Sequence, residues 1–392
     1  MKLSCLQENM SKSLDVVGHA VATRSTLPVL SNILLATDSG RLKLSATNLE
    51  VGVSCWIGAK VEEEGSTTVP ARTLSDLVDA LPHERIDISL AARTQTLNLR
   101  CGRFQNNIRG LDPAEFPLLP SLDPAPVMRA AADMLKAAIN QVVFAAATDD
   151  KRPILAGVLA DFFNDAQSGQ GKLTLAAADT CTARRRKCGF RLAVRTMSLV
   201  EPVAKPVSVI VPAKALALLS RTSNGQQAPV SIHVTPSKSQ VLFHLDNVDL
   251  AAQLIDGAFP EWEKIVPKGK QVRVVAKSSE VLKACKAASV FARDSSNIVR
   301  LTVAPGSDIE PGHVTVQATS AEAGDNVGQL DALVEGSALQ IGLNVNYVMD
   351  AVSAACTEQI ALEMTTPSSP VVFRPVGQDS SLCAVMPMSL KN

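Results

Sequence analysis

The sequence predicts an α+β protein of three similar domains, each with two helices packed on antiparallel sheet, and three recurring strings predict it. TLPVLSNILL (Thr26 to Leu35) returns as KRPILAGVLA (Lys151 to Ala160) and, more faintly, as SSNIVRLTVA (Ser295 to Ala304). Pro28 and Pro153 lie 125 residues apart, and the third copy starts 144 residues after the second. VPARTLSDLVDAL from Val69 is followed by VPAKALALLSR from Val211 and GLNVNYVMDAV from Gly342, while LDPAEFPLLP from Leu111 recurs as IDGAFPEWEKIVP from Ile255. Markers in a fixed order at a long period signify repeated supersecondary units. A chain of 392 residues is too long for one core and divides into three units of about 130.

Within the first unit, Leu14, Val17 and Val21 stand at helical spacing in Glu8 to Thr23. NILLAT, GRLKLSAT and VGVSCWIGA alternate as strands, and Asp38, Ser39 and Gly40 between the first two signal a hairpin. A second helix starts beside Pro70 and stops at Pro82, before the strands IDISL, TLNLRC and NNIRG. The second unit repeats the scheme: MLKAAINQVVFAA and VPAKALALLSRT are helical, and ILAGVLADFF, KLTLAAA, SIHVTP, VLFHLDN and DLAAQLID are extended. The third runs from Gln271 through EVLKACKAASVFA, IVRLTVA, HVTVQAT, GQLDALV, NYVMDAVSAA, IALEMTT and VVFRPV to CAVMPMSL. The expected domains are therefore 1–122, 123–270 and 271–392. One-faced helices laid on antiparallel strands bury both partners. Glycine-rich nucleotide fingerprints are absent, which weakens a Rossmann or P-loop reading.

Bulk properties narrow the function. An apolar share of 46% fills three cores, and 38 basic against 38 acidic side chains give no net charge. Tight, salt-sensitive wrapping of nucleic acid needs a basic excess, so only a loose encounter is compatible, with opposite charge on different faces. No window approaches the roughly 20 apolar residues that cross a bilayer, and the start MKLSCLQENMSKSL carries no apolar leader, so a soluble protein that is not exported is expected. Eight scattered cysteines suit buried thiols in a reducing compartment better than a disulfide framework. Cys181 and Cys188 are the only close pair and lack the spacing of a metal site.

The search for chemistry finds no convergent set. Histidines 19, 83, 233, 244 and 313 are far apart, and Asp149, Asp150, Lys151 and Asp179 lack a partnered nucleophile or metal motif, so no catalytic residue, metal or cofactor is expected. Arg24, Arg72, Lys136, Lys205, Lys214, Lys283 and Lys286 lie in or beside helices and turns of all three repeats. They are ordinary solvated charges or weak phosphate contacts on one common surface, and without aromatic interleaving or a recognition helix they do not read base sequence.

TRSTLPVLSNILL, SATNLE, TTVPAR, ATDDKRPILAGVL, LIDGAFPEWEKIVPK, GLNVNYVMDAV and the terminal AVMPMSL, in this order over the whole chain, resemble the bacterial DNA polymerase III beta subunits, the replicative sliding clamps. The resemblance implies the DNA-clamp fold and a homodimeric ring of six domains. Such a ring encircles double-stranded DNA without sequence specificity, slides, and tethers the polymerase as a processivity factor. It also implies cytoplasmic location with the nucleoid or replisome, no membrane, and a seam between the first domain of one subunit and the third of the other. The same resemblance places Val290 and Phe291 at that seam, against the region of the Val69 to Leu81 helix, while the ordinary helical spacing of VLKACKAASVF leaves a plain core role open for either.

The resemblance further implies a cleft between the middle and last domains for short apolar motifs of the replicative polymerase, clamp loader and repair proteins. Its matching positions are Leu155, Ala178, Gly189, Phe190, Arg191, Leu192, Pro260, Lys264, Ile265, Asn344, Tyr347, Pro367, Ser369, Ala384, Met386, Pro387, Met388 and Leu390. Methionine and aliphatic surfaces supply adaptable desolvation, while Asn344 and Tyr347 can orient polar atoms. Leu155, Met386 and Met388 are equally ordinary core residues by their pattern. This chain departs from the family by a basic insertion at 180–188, TCTARRRKC, which reads as a solvated loop, a positive rim of the cleft or a phosphate contact. Ser389 stands where the family often has a basic residue. A monomeric, clamp-derived interaction scaffold and, more remotely, an enzyme stay open at this point.

Overall fold

Period-two burial builds the strands. Leu42, Leu44 and Ala46 are fully buried on the Arg41–Thr47 strand, and Val299, Leu301 and Val303 are buried on Ile298–Ala304. The computed structural model describes residues 1–120, 128–149, 151–180, 190–307 and 311–389. The Thr180 to Cys188 insertion, apart from the backbone of Thr180, lies outside the described residues, as do Gly189 and Leu390.

Six α-helices are found among the described residues, two in each repeat: α1 (Gln7–Gly18), α2 (Ala71–Ala80), α3 (Ala132–Asn140), α4 (Ala213–Thr222), α5 (Ser278–Ala292) and α6 (Val345–Ala355). Met10, Leu14 and Val17 form the buried stripe of α1, which ends at Gly18 rather than at Thr23 because glycine weakens a helix end and no apolar stripe continues. Pro70 caps the start of α2, and Leu81 is extended at ψ 152°, as the residue before a proline prefers. Ser39 and Gly40 hold φ of 51° and 75°, so the expected hairpin turn is present with both central residues in the left-handed region.

The corresponding strands begin at Asn32, Gly157 and Ile298. The spacing from the first to the second repeat agrees with the strings, but the third repeat enters its strand three residues earlier than the 144-residue string spacing implies, through a shorter turn. Lys2–Leu6 is a strand that the sequence reading passed over: only Leu3 and Cys5 are buried in five residues, too few to establish a period.

The chain divides into two compact units, 1–133 with 218–254, and 134–217 with 255–392. In the first unit an eight-stranded antiparallel sheet takes four strands from each of the first two repeats, joined where Val51–Gly58 pairs with Val248–Gln253. A separate five-stranded sheet ends on the free edge Phe104–Arg109, and α1 packs on α2 and on the Val51–Gly58 strand. In the second unit a nine-stranded sheet joins the middle and last repeats where Phe190–Ser198 pairs with Ser381–Val385. Its companion is a four-stranded sheet ending on Gly324–Asp331, and α5 packs on α6 and on that edge strand. Compact units and repeats do not coincide because neighbouring repeats share a sheet.

Candidate peptide-binding cleft

The second unit gathers an apolar cup where the Phe190–Ser198 strand meets the C-terminal strand. Ala147, Leu155, Ala178, Leu192, Val372 and Ala384 are buried together, and Phe190, Phe259, Trp262, Ile265 and Val266 pack against them while half-exposed. Strand register explains the convergence: Leu192 pairs with Ala178 on one side and Ala384 on the other, so their side chains share one face. Leu155 reaches it from the preceding turn, whose carbonyl accepts from Ala147 N at 2.8 Å.

The terminal strip crosses this region as Pro387 requires, off the regular ladder. Met386 N donates to Phe190 O and Met388 N to Gly342 O, each at 2.8 Å, so the strip is fixed to two sheets of the unit. Met386 remains 38% exposed, whereas Met388 is buried. The first offers a contact surface, and the second serves packing.

A polar brace flanks the cup. Arg191 Nη1 donates to Asp350 Oδ2 at 2.9 Å, and its guanidinium lies 4.7 Å from the Tyr347 ring centroid and 6.0 Å from that of Phe144. Burial raises the Asp350 carboxyl and the Tyr347 hydroxyl above their ordinary values, and the Arg191 charge opposes both shifts. Arg191 Nε is buried without a hydrogen-bond partner among the described residues. Nearby, Arg152 Nη2 meets Asp179 Oδ1 at 3.0 Å.

Asn344 also has a local role in the fold. Its Oδ1 accepts from Asn346 N at 3.0 Å and Tyr347 N at 3.4 Å as the N-cap of α6, which leaves the side-chain NH2 as the group able to orient an incoming carbonyl. Ser369 shares a hydroxyl hydrogen bond of 2.7 Å with Thr366, and Lys264 pairs with Glu261. Pro260 and Pro367 are exposed. Sequence reasoning left out Arg152, Trp262 and Asp350, although all three sit inside the marker strings; Asp350 meets Arg191 from the turn of α6 that follows Tyr347.

Arg72, Lys214, Lys283 and Lys286 project into solvent from α2, α4 and α5, Lys136 lies half-buried on α3, and Arg24 and Lys205 are exposed on loops. Val290 is 52% exposed and Phe291 half-buried at the end of α5. Val290 follows Lys283 and Lys286 at helical spacing, on the side away from the buried Val281, Cys285 and Ala288. Among the described residues no His, Cys, Asp and Glu cluster could hold a metal ion, and no helix is long and apolar enough to cross a membrane.

Residues 1–120, 130–261 and 263–389 match, in order, the family models of the N-terminal, central and C-terminal domains of the DNA polymerase III beta subunit. The chain is 30% identical to the beta sliding clamp of Synechococcus elongatus, over 100% of both chains. The crystal structure of the DNA polymerase sliding clamp from Bacillus subtilis has a TM-score of 0.89 at 26% identity, again over 100% of both chains. That of a sliding clamp from Pseudomonas aeruginosa bound to griselimycin has 0.87 at 27%, with the same full coverage. The fold, the ordered repeats and these full-length matches agree: the chain belongs to the DNA polymerase III beta subunit family, the sliding clamps, which are non-catalytic processivity factors of a DNA polymerase.

Proposed function

We propose that two copies close head-to-tail into a ring that encircles duplex DNA and tethers a polymerase through the apolar cup. The observation that carries this reading is the pair of incomplete sheets. Each junction between repeats completes a sheet of eight or nine strands, whereas the first repeat leaves five and the third leaves four. Their free edges expose Phe104 at 56% and Val327 at 60%, and Val290 adds 52% on the helix packed against the second edge. Bare strand edges with exposed apolar residues seek a partner. Joining the five-stranded edge of one copy to the four-stranded edge of another makes nine strands and a heterologous contact that closes after two copies.

The division into domains 1–122, 123–270 and 271–392 follows from the same repeats. Arg24, Arg72, Lys136, Lys205, Lys214, Lys283 and Lys286 face DNA in this reading and make sequence-independent phosphate contacts. A closed ring needs no strong grip, which reconciles DNA binding with zero net charge. The cup takes short apolar motifs of the polymerase, clamp loader and repair proteins in competition, with Tyr347 and Met386 as contact anchors. Its setting is the cytoplasm, at the replisome on the nucleoid. On a primed single-stranded circle, the chain with its loader should lengthen the products of a partner polymerase per binding event. Product lengths unchanged at matched polymerase concentration would contradict the tethering role.

A further inference from the structure

The repeat that builds the cleft builds its scaffold a second time, within the first unit. Ala22 N donates to Leu30 O at 3.1 Å as Ala147 N donates to Leu155 O, and Gln253 N donates to Glu50 O at 2.8 Å as Met386 N donates to Phe190 O. Strand register carries the correspondence further. Thr47 and Ala251 flank Gly52 across the sheet as Ala178 and Ala384 flank Leu192. Phe116 and Leu119 follow in FPLLP as Phe259 and Trp262 follow in FPEWEK. The counterpart cluster consists of buried Ala22, Val29, Leu30 and Phe116, with Leu34 and Leu119 packed against it.

Two differences separate this copy from the cleft. Its floor has Gly52 where the cleft has Leu192, and Leu119 occupies the vacated space: a Cβ on Gly52 would lie 2.5 Å from Leu119 Cδ2. The rim positions of Phe190 and Met386 are held by Glu50 and Gln253. Leu118, the residue beside the inserted leucine, is 99% exposed. The flanking Leu49 is half-exposed and holds φ at 74°, a region that costs a leucine backbone energy and that marks sites of special constraint.

We propose that the first unit contains a latent second docking site for short apolar peptides, held shut by its own Phe116–Leu119 segment. Leu119 is the built-in occupant, and glycine at position 52 is what admits it. A tethered occupant competes at the effective concentration of an intramolecular ligand, of order millimolar for short connections, so a free peptide of ordinary affinity does not displace it. The native protomer accordingly binds one peptide although its fold supplies two scaffolds. Removal of Leu119 from the floor leaves an apolar depression of the cleft's chemical class, with a more polar rim that favours a peptide carrying an amide or a basic group beside its apolar end.

The ligand class rests on the cleft reading above, so the test observes both sites separately. The full chain and its Leu119→Ala variant are titrated with a synthetic peptide containing a Gln and a Leu-Phe end. Stoichiometry is read by calorimetry and location by backbone amide exchange. Native chain should bind about one peptide per protomer with protection at 190–194, and Leu119→Ala about two, with new protection at 50–54 and 250–254. Gly52→Leu, which restores the cleft's floor residue and expels Leu119, should give the same second site and keeps the test alive if the first variant folds poorly. Absence of protection at 50–54 in every folded variant at saturating peptide overturns the proposal. Absence of protection at 190–194 in the native chain instead refutes the cleft reading, while 50–54 in the variants still decides the latent site.

Discussion

Arg191 joins three parts of the candidate cleft: the Phe190–Ser198 strand through its backbone, α6 through Asp350, and the Tyr347 ring through its guanidinium. Tyr347→Ala and Met386→Ala should each weaken a motif peptide by about 1–3 kcal/mol, as buried interface anchors do; calorimetric titration of the folded variants showing unchanged affinity would assign both to packing. A second residue-scale consequence concerns thiols. Burial pushes Cys5, Cys285 and Cys383 up to about 12, so they stay protonated and unreactive at pH 8, whereas Cys356 is exposed at the end of α6. Alkylation of native protein followed by mass spectrometry should modify Cys356 and spare those three until the chain unfolds. A third concerns acid stability. Burial alone would raise Glu363, but hydrogen bonds from Lys270 and Arg374 outweigh it and hold the carboxyl below its ordinary value. Because the native value is depressed, this stabilisation is full above the unfolded carboxylate range and is lost as pH falls through the native value. Glu363→Gln should therefore lower stability near neutrality by about 1–3 kcal/mol and narrow its gap to the native protein in acid, as denaturant titrations at several pH values can measure.

At the scale of elements, periodicity made most of the fold legible. The six helices and the hairpin at Ser39 and Gly40 follow from apolar spacing and turn chemistry. What stayed hidden was pairing between distant segments, because alternation says which face a strand buries but not which neighbour it takes. Nothing in CAVMPMSL announces that its strand completes the sheet of the middle repeat beside Arg191 and Leu192. Asp350 was missed for the same reason, and the capping role of Asn344 was missed because it depends on where α6 starts. The resemblance implied a seam at Val290 and Phe291, and the free edges carrying Phe104 and Val327, which emerge only from sheet order, are added to that proposal. Phe104→Arg or Val327→Arg, placed on exposed edge positions, should leave folding intact and weaken self-association at least about tenfold by burying an unpaired charge in the proposed seam. Sedimentation equilibrium of each variant against the native chain measures this directly, and an undiminished dimer would place the seam elsewhere.

For the whole molecule, zero net charge allows a loose encounter with DNA, and in the ring reading topology supplies the lasting retention that electrostatics does not. Escape of a closed ring depends on opening a seam or reaching an end, and its residence on DNA is then set by interface stability and DNA topology rather than by the number of phosphate contacts. The deciding measurement follows loaded, labelled protein on nicked circular DNA through gel filtration before and after a single cut that linearises the circle. The account predicts retention on the circle in moderate salt and rapid loss after the cut. Equal retention on both forms, or none on either despite verified loading, would contradict encirclement.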